Sequence, residues 1–398
     1  MKIATAQSTN PDTLAAFEGA YAQLLQELGG APDMLLLFMS VPYDAHALAQ
    51  ALPQLAPGVP VHAGTSCLGV MTGSGFASQQ GVGMGLGGLR DPEGNYGVGM
   101  VTIDNDPRLS SAQAIQEAID QAGRWSEVPE MVWLTAAPGC EEAVLDGIAD
   151  VVGANVPIFG GSTADNTVEG HWKQFTPGRV EGNSVILSVF YPSSQISFAF
   201  ESGYVSTGTT WEVTRSDGRV IHELDGRPAA EVYNEASGGA IAELLPGGGN
   251  ILSHTTLQPL GRTVKTSSPN PTVLLSHPAE VTSDGALVLF SEIRKGERVS
   301  LMKGSNEGLV RRAAEVVDFA IALPSWDKDE IHGALVIYCA GCMLSVEPHM
   351  NAVVDGIQQS MGANNPFMGI FTFGEQGCFS DGPSRHGNLM ISAAIFGG

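Results

Sequence analysis

The sequence predicts an α/β fold with two pseudo-symmetric halves, in which mixed sheets pack together and helices lie on the outside in an α-β-β-α-like arrangement. Three observations predict it: apolar runs, a helical periodicity between two of them, and an internal repeat. The runs Ala334–Tyr338 and Phe367–Phe373 are largely apolar, as in strands buried on both faces. Between them, apolar residues recur at steps of three and four from Val346 to Met361, which indicates a helix. Strand, helix and strand form a crossover unit of a sheet.

This unit occurs a second time, earlier in the chain. Residues 146–160 share eight identities with residues 355–369 at one constant offset, and an apolar run precedes each segment. A fainter third copy begins at Met34–Phe38. An internal repeat predicts related structural units rather than one irregular domain. We therefore expect residues 131–165 and 334–375 to adopt the same strand–helix–strand topology, related by a pseudo-twofold axis.

The other elements are predicted from caps, turns and periodicity. Gly29-Gly30 ends a first helix, whose apolar face begins at Phe17. Asp217-Gly218 is a strong hairpin signal between two strands, and a helix follows Pro228. The segment Thr263–Pro271 is polar and contains prolines, which indicates an exposed loop.

The composition excludes several classes of function. A formal net charge of −23, with only 19 lysines and arginines, argues against binding to nucleic acid or to an anionic membrane surface. No stretch is long and apolar enough to span a bilayer, and the N-terminus lacks the apolar segment of a signal peptide. Five cysteines in a large chain fit a reducing compartment. We therefore expect a cytoplasmic protein that binds neither nucleic acid nor membrane.

Several motifs together resemble one protein family. They are FGG at 159–161 with Asp165-Asn166, ELDGRP at 223–228, and Gly374-Glu375 followed by His386 and Asn388. Their order, over roughly residues 30 to 395, resembles the FIST family, in which an N-terminal FIST domain is followed by a C-terminal one. The resemblance implies a FIST N-terminal domain at residues 1–205 and a FIST C-terminal domain at residues 206–398.

The resemblance also implies a function, namely a bacterial or archaeal sensory module that binds a small molecule in signal transduction. Because the resemblance fills nearly the whole chain, we expect this protein to act through a separate partner, such as a histidine kinase. One branch of the family, the nitric-oxide sensors of the NosP type, binds haem, so a haem-based sensor is one alternative. An enzyme that uses a cysteine or the Glu375–His386 pair for hydrolysis or proton transfer is another. The family pattern has a basic residue near position 342, whereas this chain has CAGC at 339–342, which leaves the ligand's identity open.

The predicted ligand site lies at the ends of strands of the repeated units. Equivalent strand ends in paired halves face a common crevice, and glycines there let backbone amides approach a ligand. Glu375 supplies a charge that would bind an ammonium or amide group. Asp165-Asn166 fits a ligand-facing loop and, equally, an Asx turn that holds the loop itself. The predicted site residues are Gly64, Thr65, Ser66, Cys67, Gly161, Ser162, Asp165, Asn166, Cys339, Glu375 and His386.

The soft donors of the C-terminal region allow further interpretations. His386 is a candidate haem ligand, metal ligand or general base, or else a histidine bonded to a loop carbonyl. Cys339 and Cys342, with Cys378 and His386, would suit zinc or an iron–sulfur cluster, but a second CxxC pair is missing. We therefore expect no cofactor, with haem as the alternative. A redox-active pair is less favoured, because the CxxC motif does not open a helix after a first strand.

Overall fold

The computed structural model describes residues 1–264, 272–379 and 382–398 of the 398-residue chain. Of the loop predicted at Thr263–Pro271, the first two residues end a strand and the rest lies outside the described residues. The helices are α1 (Thr13–Leu28), α2 (Ala45–Leu55), α3 (Pro107–Ala122), α4 (Glu141–Val152), α5 (Ala229–Ala236), α6 (Leu252–Thr255), α7 (Asn306–Ala322), α8 (Ala340–Val346) and α9 (Met350–Met361).

The strands follow in chain order. They are β1 (Lys2–Ser8), β2 (Met34–Met39), β3 (Val61–Thr65), β4 (Val70–Thr72), β5 (Gly75–Ala77), β6 (Met84–Arg90), β7 (Asn95–Thr102), β8 (Met131–Ala136), β9 (Ile158–Ser162), β10 (Gln174–Thr176), β11 (Arg179–Glu181), β12 (Ser184–Tyr191), β13 (Gln195–Ser202), β14 (Val205–Asp217), β15 (Val220–Leu224), β16 (Arg227–Pro228), β17 (Gly249–Asn250), β18 (Leu260–Val264), β19 (Thr272–Ser276), β20 (Pro278–Val281), β21 (Leu287–Leu289), β22 (Arg298–Lys303), β23 (Ile331–Cys339), β24 (Phe367–Thr372), β25 (Glu375–Cys378), β26 (Ser384–Gly387) and β27 (Met390–Gly397).

Within the described residues the strands form four sheets. The first sheet has the order β1-β6-β2-β3-β10-β11, the second β7-β12-β8-β9-β25-β26, and the third β13-β27-β23-β24-β4-β5. The fourth, here called the inserted sheet, has the order β17-β20-β21-β15-β14-β22-β18-β19, and β16 pairs with β15. The inserted sheet occupies residues 205–303, between two strands of the third sheet, and packs around an apolar core of its own that includes Trp211 and Tyr233.

Each of the first three sheets contains the repeated unit. The parallel pairs β2–β3, β8–β9 and β23–β24 are each connected through helix. The predicted correspondence of residues 131–165 with 334–375 is therefore confirmed in topology, and the fainter copy near Met34 is a third unit. The units align in register at their strand ends, where the last pairs are Met39 with Thr65, Ala136 with Ser162, and Cys339 with Thr372.

The three units exchange hairpins in a closed cycle. The hairpin β4–β5 follows β3 of the first unit but joins the third sheet, where Met71 pairs with Gly369. The hairpin β10–β11 follows the second unit and joins the first sheet, and β25–β26 follows the third unit and joins the second sheet, where Glu375 pairs with Gly161. This exchange brings the ends of all three repeated units together at the centre of the molecule.

Helices cover the outside of these sheets, which confirms the predicted α/β class with packed mixed sheets. Helix α1 packs on the first sheet, α3 on the second, and α7 on the third. The core between the sheets is apolar and includes Phe38, Trp133 and Phe371, which come from three different sheets. Burial of such aromatic side chains is the main stabilising contribution here. Among the helices that the structure describes, none has the length and hydropathy to cross a membrane.

One polar contact crosses the core between the first and second sheets. His62 on β3 is fully buried, and its ring nitrogens lie 2.8 Å from Ser188 Oγ and 2.7 Å from Thr135 Oγ1. Burial lowers the pKa of His62 to about 3, so the imidazole is neutral at neutral pH. Each ring nitrogen thus has a hydroxyl as its hydrogen-bond partner. This pairing offsets the cost of burying a histidine in an otherwise apolar interior.

Candidate functional site

A cavity of about 570 Å³ lies where the second unit, the third unit and the inserted sheet meet. Its volume is in the range of natural small-molecule sites. Its walls combine aromatic and aliphatic side chains with a few polar groups. The lining residues are Pro138, Gly139, Glu141, Val168, Trp172, Arg219, Leu252, Ser253, Thr256, His277, Phe290, Cys339, Gly341, Leu344, Ser345, Phe373 and Asn388.

One polar wall of the cavity is an ion pair between the second unit and the inserted sheet. Arg219 Nη2 lies 2.6 Å from Glu141 Oε2 and 2.6 Å from Glu142 Oε2. The Ser162 hydroxyl donates to Glu141 Oε1 at 2.6 Å, and the backbone N–H of Gly139 donates to Oε2 at 3.1 Å. Both oxygens of the buried Glu141 carboxylate therefore have hydrogen-bond partners. Through Arg219, the ion pair connects the inserted sheet to the second unit.

The charge state of Glu141 follows from these contacts. Burial alone would raise its pKa, but His386, Arg219 and the Ser162 hydroxyl lower the pKa of Glu141 to about 2. Glu141 is consequently ionised at neutral pH, and its charge is balanced by the Arg219 guanidinium. Glu142 has a lowered pKa as well, because His386 and Arg219 outweigh the effect of burial.

A second polar residue of the lining, Asn388, has an unpartnered donor. Asn388 is buried, and its Oδ1 accepts a hydrogen bond from the backbone N–H of His277 at 3.1 Å. Among the residues that the structure describes, Asn388 Nδ2 has no hydrogen-bond partner. A buried unpaired amide costs roughly 1–3 kcal/mol. Beside it, burial lowers the pKa of His277 to about 4, so that side chain faces the cavity as a neutral ring.

The third polar group is the Cys339 thiol, which is backed by Glu375. The Glu375 side chain is fully buried and accepts hydrogen bonds from Thr372 Oγ1 at 2.9 Å and from the backbone N–H of Met390 at 3.0 Å. Cys339 lies next to this carboxyl group and next to Cys342. Burial raises the pKa of Glu375 and of the Cys339 thiol well above their ordinary values.

Aromatic side chains form the apolar part of the cavity. Trp172 and Phe373 meet edge to face with ring centroids 6.1 Å apart, and Trp172 Nε1 donates to the carbonyl of Gly182 at 3.1 Å. Phe290 meets the His277 ring at 6.0 Å. The Leu344 side chain is exposed although it lines the cavity, which places it at the opening.

The predicted strand ends do converge. The backbone N–H of Ala164 donates to the carbonyl of Thr65 at 3.3 Å, that of Ser162 to Gly374 at 2.8 Å, and that of Cys67 to Phe371 at 3.2 Å. Of the eleven predicted residues, however, Cys339 alone lines this cavity. Ser162 and Glu375 lie directly behind the lining residues Glu141 and Cys339, and Gly161 lies behind them too, paired with Glu375.

The other predicted residues around the first unit hold loops. Ser66 Oγ donates to the carbonyl of Gly69 at 2.6 Å and accepts from the N–H of Phe371 at 2.9 Å. Thr65 Oγ1 accepts from the N–H of Lys173, and Gly64 pairs with Gln174 on the exchanged hairpin. Cys67 is buried, and burial raises the pKa of its thiol to about 12. These residues connect the units beneath the site.

Asp165 and Asn166 organise the loop that carries Val168 and Trp172 to the cavity. The Asp165 carboxylate accepts hydrogen bonds from four backbone N–H groups, including those of Thr167 at 3.0 Å and His171 at 2.7 Å. Asn166 Oδ1 accepts from the N–H of Leu68 at 2.9 Å. Of the two interpretations offered by the sequence, the turn that holds its own loop describes these contacts.

His386 does not line the main cavity but lines a smaller one of about 430 Å³. Its Nδ1 is 3.0 Å from Gln376 Nε2, and its Nε2 is 3.1 Å from the carbonyl of Phe290. Both ring nitrogens are thus engaged within the protein, and His386 does not fit the role of an axial haem ligand without losing one of these contacts. In the described ranges, no group of three or more histidine, cysteine, aspartate or glutamate side chains is arranged to hold a metal ion.

The expectation that the CxxC motif does not open a helix is wrong. Strand β23 ends at Cys339, and helix α8 begins at Ala340, so Cys339 is the N-cap residue and Cys342 lies in the first turn. The apolar periodicity that predicted the helix begins only at Val346, because the preceding small residues carry no such pattern.

Several lining residues were missed by sequence reasoning. Glu141 is the first residue of the helix that follows β8, as Ala340 is the first residue of the helix that follows β23, so attention to the start of each helix could have pointed to Glu141. Asn388 stands in the motif that carried the family resemblance. Arg219 and His277 gave no signal, because they reach the cavity only through the way the inserted sheet packs against the other units.

Comparison with known proteins assigns the chain to a class. Residues 33–227 match the FIST N domain and residues 229–378 match the FIST C domain. The chain belongs to the FIST family, whose domains are sensory domains that bind small ligands in signal transduction.

Individual similarities are weaker. An uncharacterized protein of Methanocaldococcus jannaschii, MJ1623, is 32% identical over 90 residues, which are 22% of this chain and 18% of that relative. A cyanuric acid hydrolase structure aligns over 100% of this chain and 99% of its own at 11% identity and a TM-score of 0.36. A second, from A. caulinodans, aligns over 99% and 97% at 10% identity and a TM-score of 0.39. At these TM-scores the likenesses say nothing about function.

Proposed function

We propose that this protein is a cytosolic sensor that binds a small molecule in the 570 Å³ cavity and signals through a separate partner protein, such as a histidine kinase. The observation that carries the proposal is the cavity itself, in which the aromatic side chains of Trp172, Phe290 and Phe373 stand beside a few polar groups. Natural small-molecule sites combine a predominantly apolar lining with a small number of polar groups in the same way.

The cavity favours a ligand that is mainly apolar. Arg219 lies 2.6 Å from both Glu141 and Glu142, so two ionised carboxylates share one guanidinium, and His277 is neutral. This side of the cavity therefore does not favour an anionic ligand. Trp172, Phe290 and Phe373 offer flat apolar surface, which favours a ring or a short branched chain.

The position of the cavity suggests how binding would reach a partner. Arg219 and His277 belong to the inserted sheet, whereas Glu141 and Cys339 belong to the second and third units. A ligand that contacts both sides would hold the inserted sheet in one position relative to the units. Such a differential contact is the physical requirement for a ligand to shift a conformational equilibrium.

The test is a thermal-shift screen of small metabolites, followed by calorimetric titration of each hit against the native chain and Ser345→Phe. Ser345 lines the cavity from α8, and a phenyl ring there would fill part of its volume. The matched control is Ser360→Phe, because Ser360 is a partly buried helix serine that does not line the cavity.

We expect Ser345→Phe to weaken binding by about 100-fold or more, a loss of roughly 3 kcal/mol, while Ser360→Phe retains native affinity. Thermal melts of both variants show whether each is folded. Equal affinities for all three folded proteins would refute binding in this cavity.

A further inference from the structure

We propose that Cys339 and Cys342 form a redox-active dithiol that exchanges with a low-molecular-weight disulfide entering the cavity. This activity goes beyond small-ligand sensing and does not depend on it. Four observations carry it: the placement of the two cysteines, the access of one of them to the cavity, the carboxylate beside it, and the burial of the other.

The two cysteines are placed for disulfide formation. Cys339 ends β23 and Cys342 lies in the first turn of α8, so they are separated by Ala340 and Gly341 across a strand-to-helix junction. Their side chains lie next to each other. A Cβ at Gly341 would lie 3.7 Å from Cys339 Sγ, an ordinary contact distance, so position 341 lies beside the Cys339 thiol. Neither cysteine is in a disulfide.

The two thiols differ in access, as an attacking and a resolving cysteine must. Cys339 lines the 570 Å³ cavity, whereas Cys342 is fully buried behind it. The Tyr204 hydroxyl is 3.6 Å from Cys342 Sγ and also donates to the carbonyl of Thr256 at 2.8 Å, which fixes its position. An oxidant in the cavity can therefore reach Cys339 and cannot reach Cys342 directly.

Glu375 is placed to act as the base. Its two oxygens accept hydrogen bonds from Thr372 and from the N–H of Met390, which orients the carboxylate toward the Cys339 thiol. Burial raises the pKa of the thiol and the pKa of Glu375 alike. Exchange therefore requires a group that removes the thiol proton as the sulfur attacks, and the ionised form of Glu375, which burial makes more basic than an exposed carboxylate, is that group.

The reaction balances with the disulfide as oxidant. The thiol proton of Cys339 passes to Glu375, and the thiolate attacks one sulfur of the oxidant, whose S–S bond breaks. The first leaving thiolate takes that proton from Glu375, and Cys339 is left in a mixed disulfide. The Cys342 sulfur then attacks the Cys339 sulfur and displaces the remaining half of the oxidant. The proton of the Cys342 thiol leaves with that half, which is the second thiol product. The protein loses two electrons and two protons, and one disulfide becomes two thiols.

The test uses oxidised glutathione as the probe. The native full-length chain is incubated with it, quenched by acid and alkylation, and analysed by intact mass and peptide mapping. We expect the native chain to lose two hydrogen masses without a stable adduct, with the bond mapped to Cys339 and Cys342. The Cys342→Ser chain should stop at one glutathione adduct on Cys339, and Cys339→Ser should show neither product.

Two further variants separate a chemical role from a structural one. Cys140→Ser is the control, because Cys140 is half-buried and outside the cavity, and it should behave as the native chain. Glu375→Gln should slow formation of the mixed disulfide by about 100-fold and should lessen the pH dependence of its rate. The native chain gives a result that does not depend on whether a variant folds. If other cysteines of the native chain are oxidised while Cys339 and Cys342 stay reduced, the proposal is overturned.

Discussion

Replacing Arg219 by methionine should destabilise the protein by about 3 kcal/mol, because it leaves Glu141 as an unpaired buried carboxylate. The Glu141 side chain is 3% exposed and that of Arg219 is 20% exposed. Breaking a buried ion pair by removing one partner costs roughly 3–5 kcal/mol. The pKa of Glu141 gives a second measure, since it is about 2 in the folded protein against an ordinary value of 4.5. This difference corresponds to about 3 kcal/mol of favourable interaction with the ionised carboxylate, to which His386, Arg219 and Ser162 all contribute.

The assay is urea denaturation of the native chain, Arg219→Met, Glu141→Gln and the double variant. The double variant should be less destabilised than the sum of the single ones, since it leaves no unpaired charge at Glu141. The control is Arg311→Met, which breaks an exposed pair with Glu315 and should cost about 0.5 kcal/mol.

The dependence on pH gives a second check of the same ion pair. The folded-state pKa of Glu141 is depressed, so its stabilisation is present above the unfolded pKa of 4.5 and is lost as the pH falls through about 2. The difference between the native chain and Arg219→Met should therefore shrink below pH 4.5. A cost for Arg219→Met no larger than that for Arg311→Met would refute the reasoning.

Three further predictions follow from single features. Lowering the pH from 7 to 5 should reduce the free energy of unfolding by about 2 kcal/mol through His62 alone, because His62 takes up a proton below pH 6.5 in the unfolded state but stays neutral down to about pH 3 in the folded state. Urea denaturation of His62→Gln should show a correspondingly smaller loss of stability over this pH range. An unchanged loss would contradict this prediction. Gly161→Ala should lower the free energy of unfolding by about 1–3 kcal/mol, because a Cβ there would overlap the Thr372 side chain. The control is Gly247→Ala, which should cost less because a Cβ at Gly247 meets nothing within 4 Å. Equal melting temperatures for the two variants would contradict the close approach at Gly161. The protein as isolated should contain neither stoichiometric zinc nor haem, since both His386 nitrogens are engaged; a Soret band that disappears in His386→Ala would contradict this.

Much of the architecture could be predicted from the sequence because it depends on patterns within short segments of the chain. Alternating apolar runs and helical periodicity mark each repeated unit, and identities such as Gly147 with Gly356 relate the second and third units. The hairpin at Asp217-Gly218 is present, with Gly218 at a φ of 55°. The exchange of hairpins among the sheets could not be predicted, because strands such as β4 and β25 are three or four residues long and pair with distant segments.

The site was predicted less well, and for the same physical reason. Strand-end reasoning found the centre where the units meet, including Cys339 and the residues behind Glu141. It could not find Arg219 or His277, because both come from the inserted sheet and only tertiary packing brings them to the cavity. Glu375 was predicted to supply a charge to a ligand, whereas its oxygens accept hydrogen bonds from Thr372 and Met390.

The most direct test of the central claim is a crystal structure of the protein with a ligand identified by thermal shift. The account predicts ligand density in the 570 Å³ cavity, with apolar atoms of the ligand against Trp172 and Phe373. Ligand density elsewhere, for example in the smaller cavity beside His386, with the larger cavity holding only solvent, would contradict it.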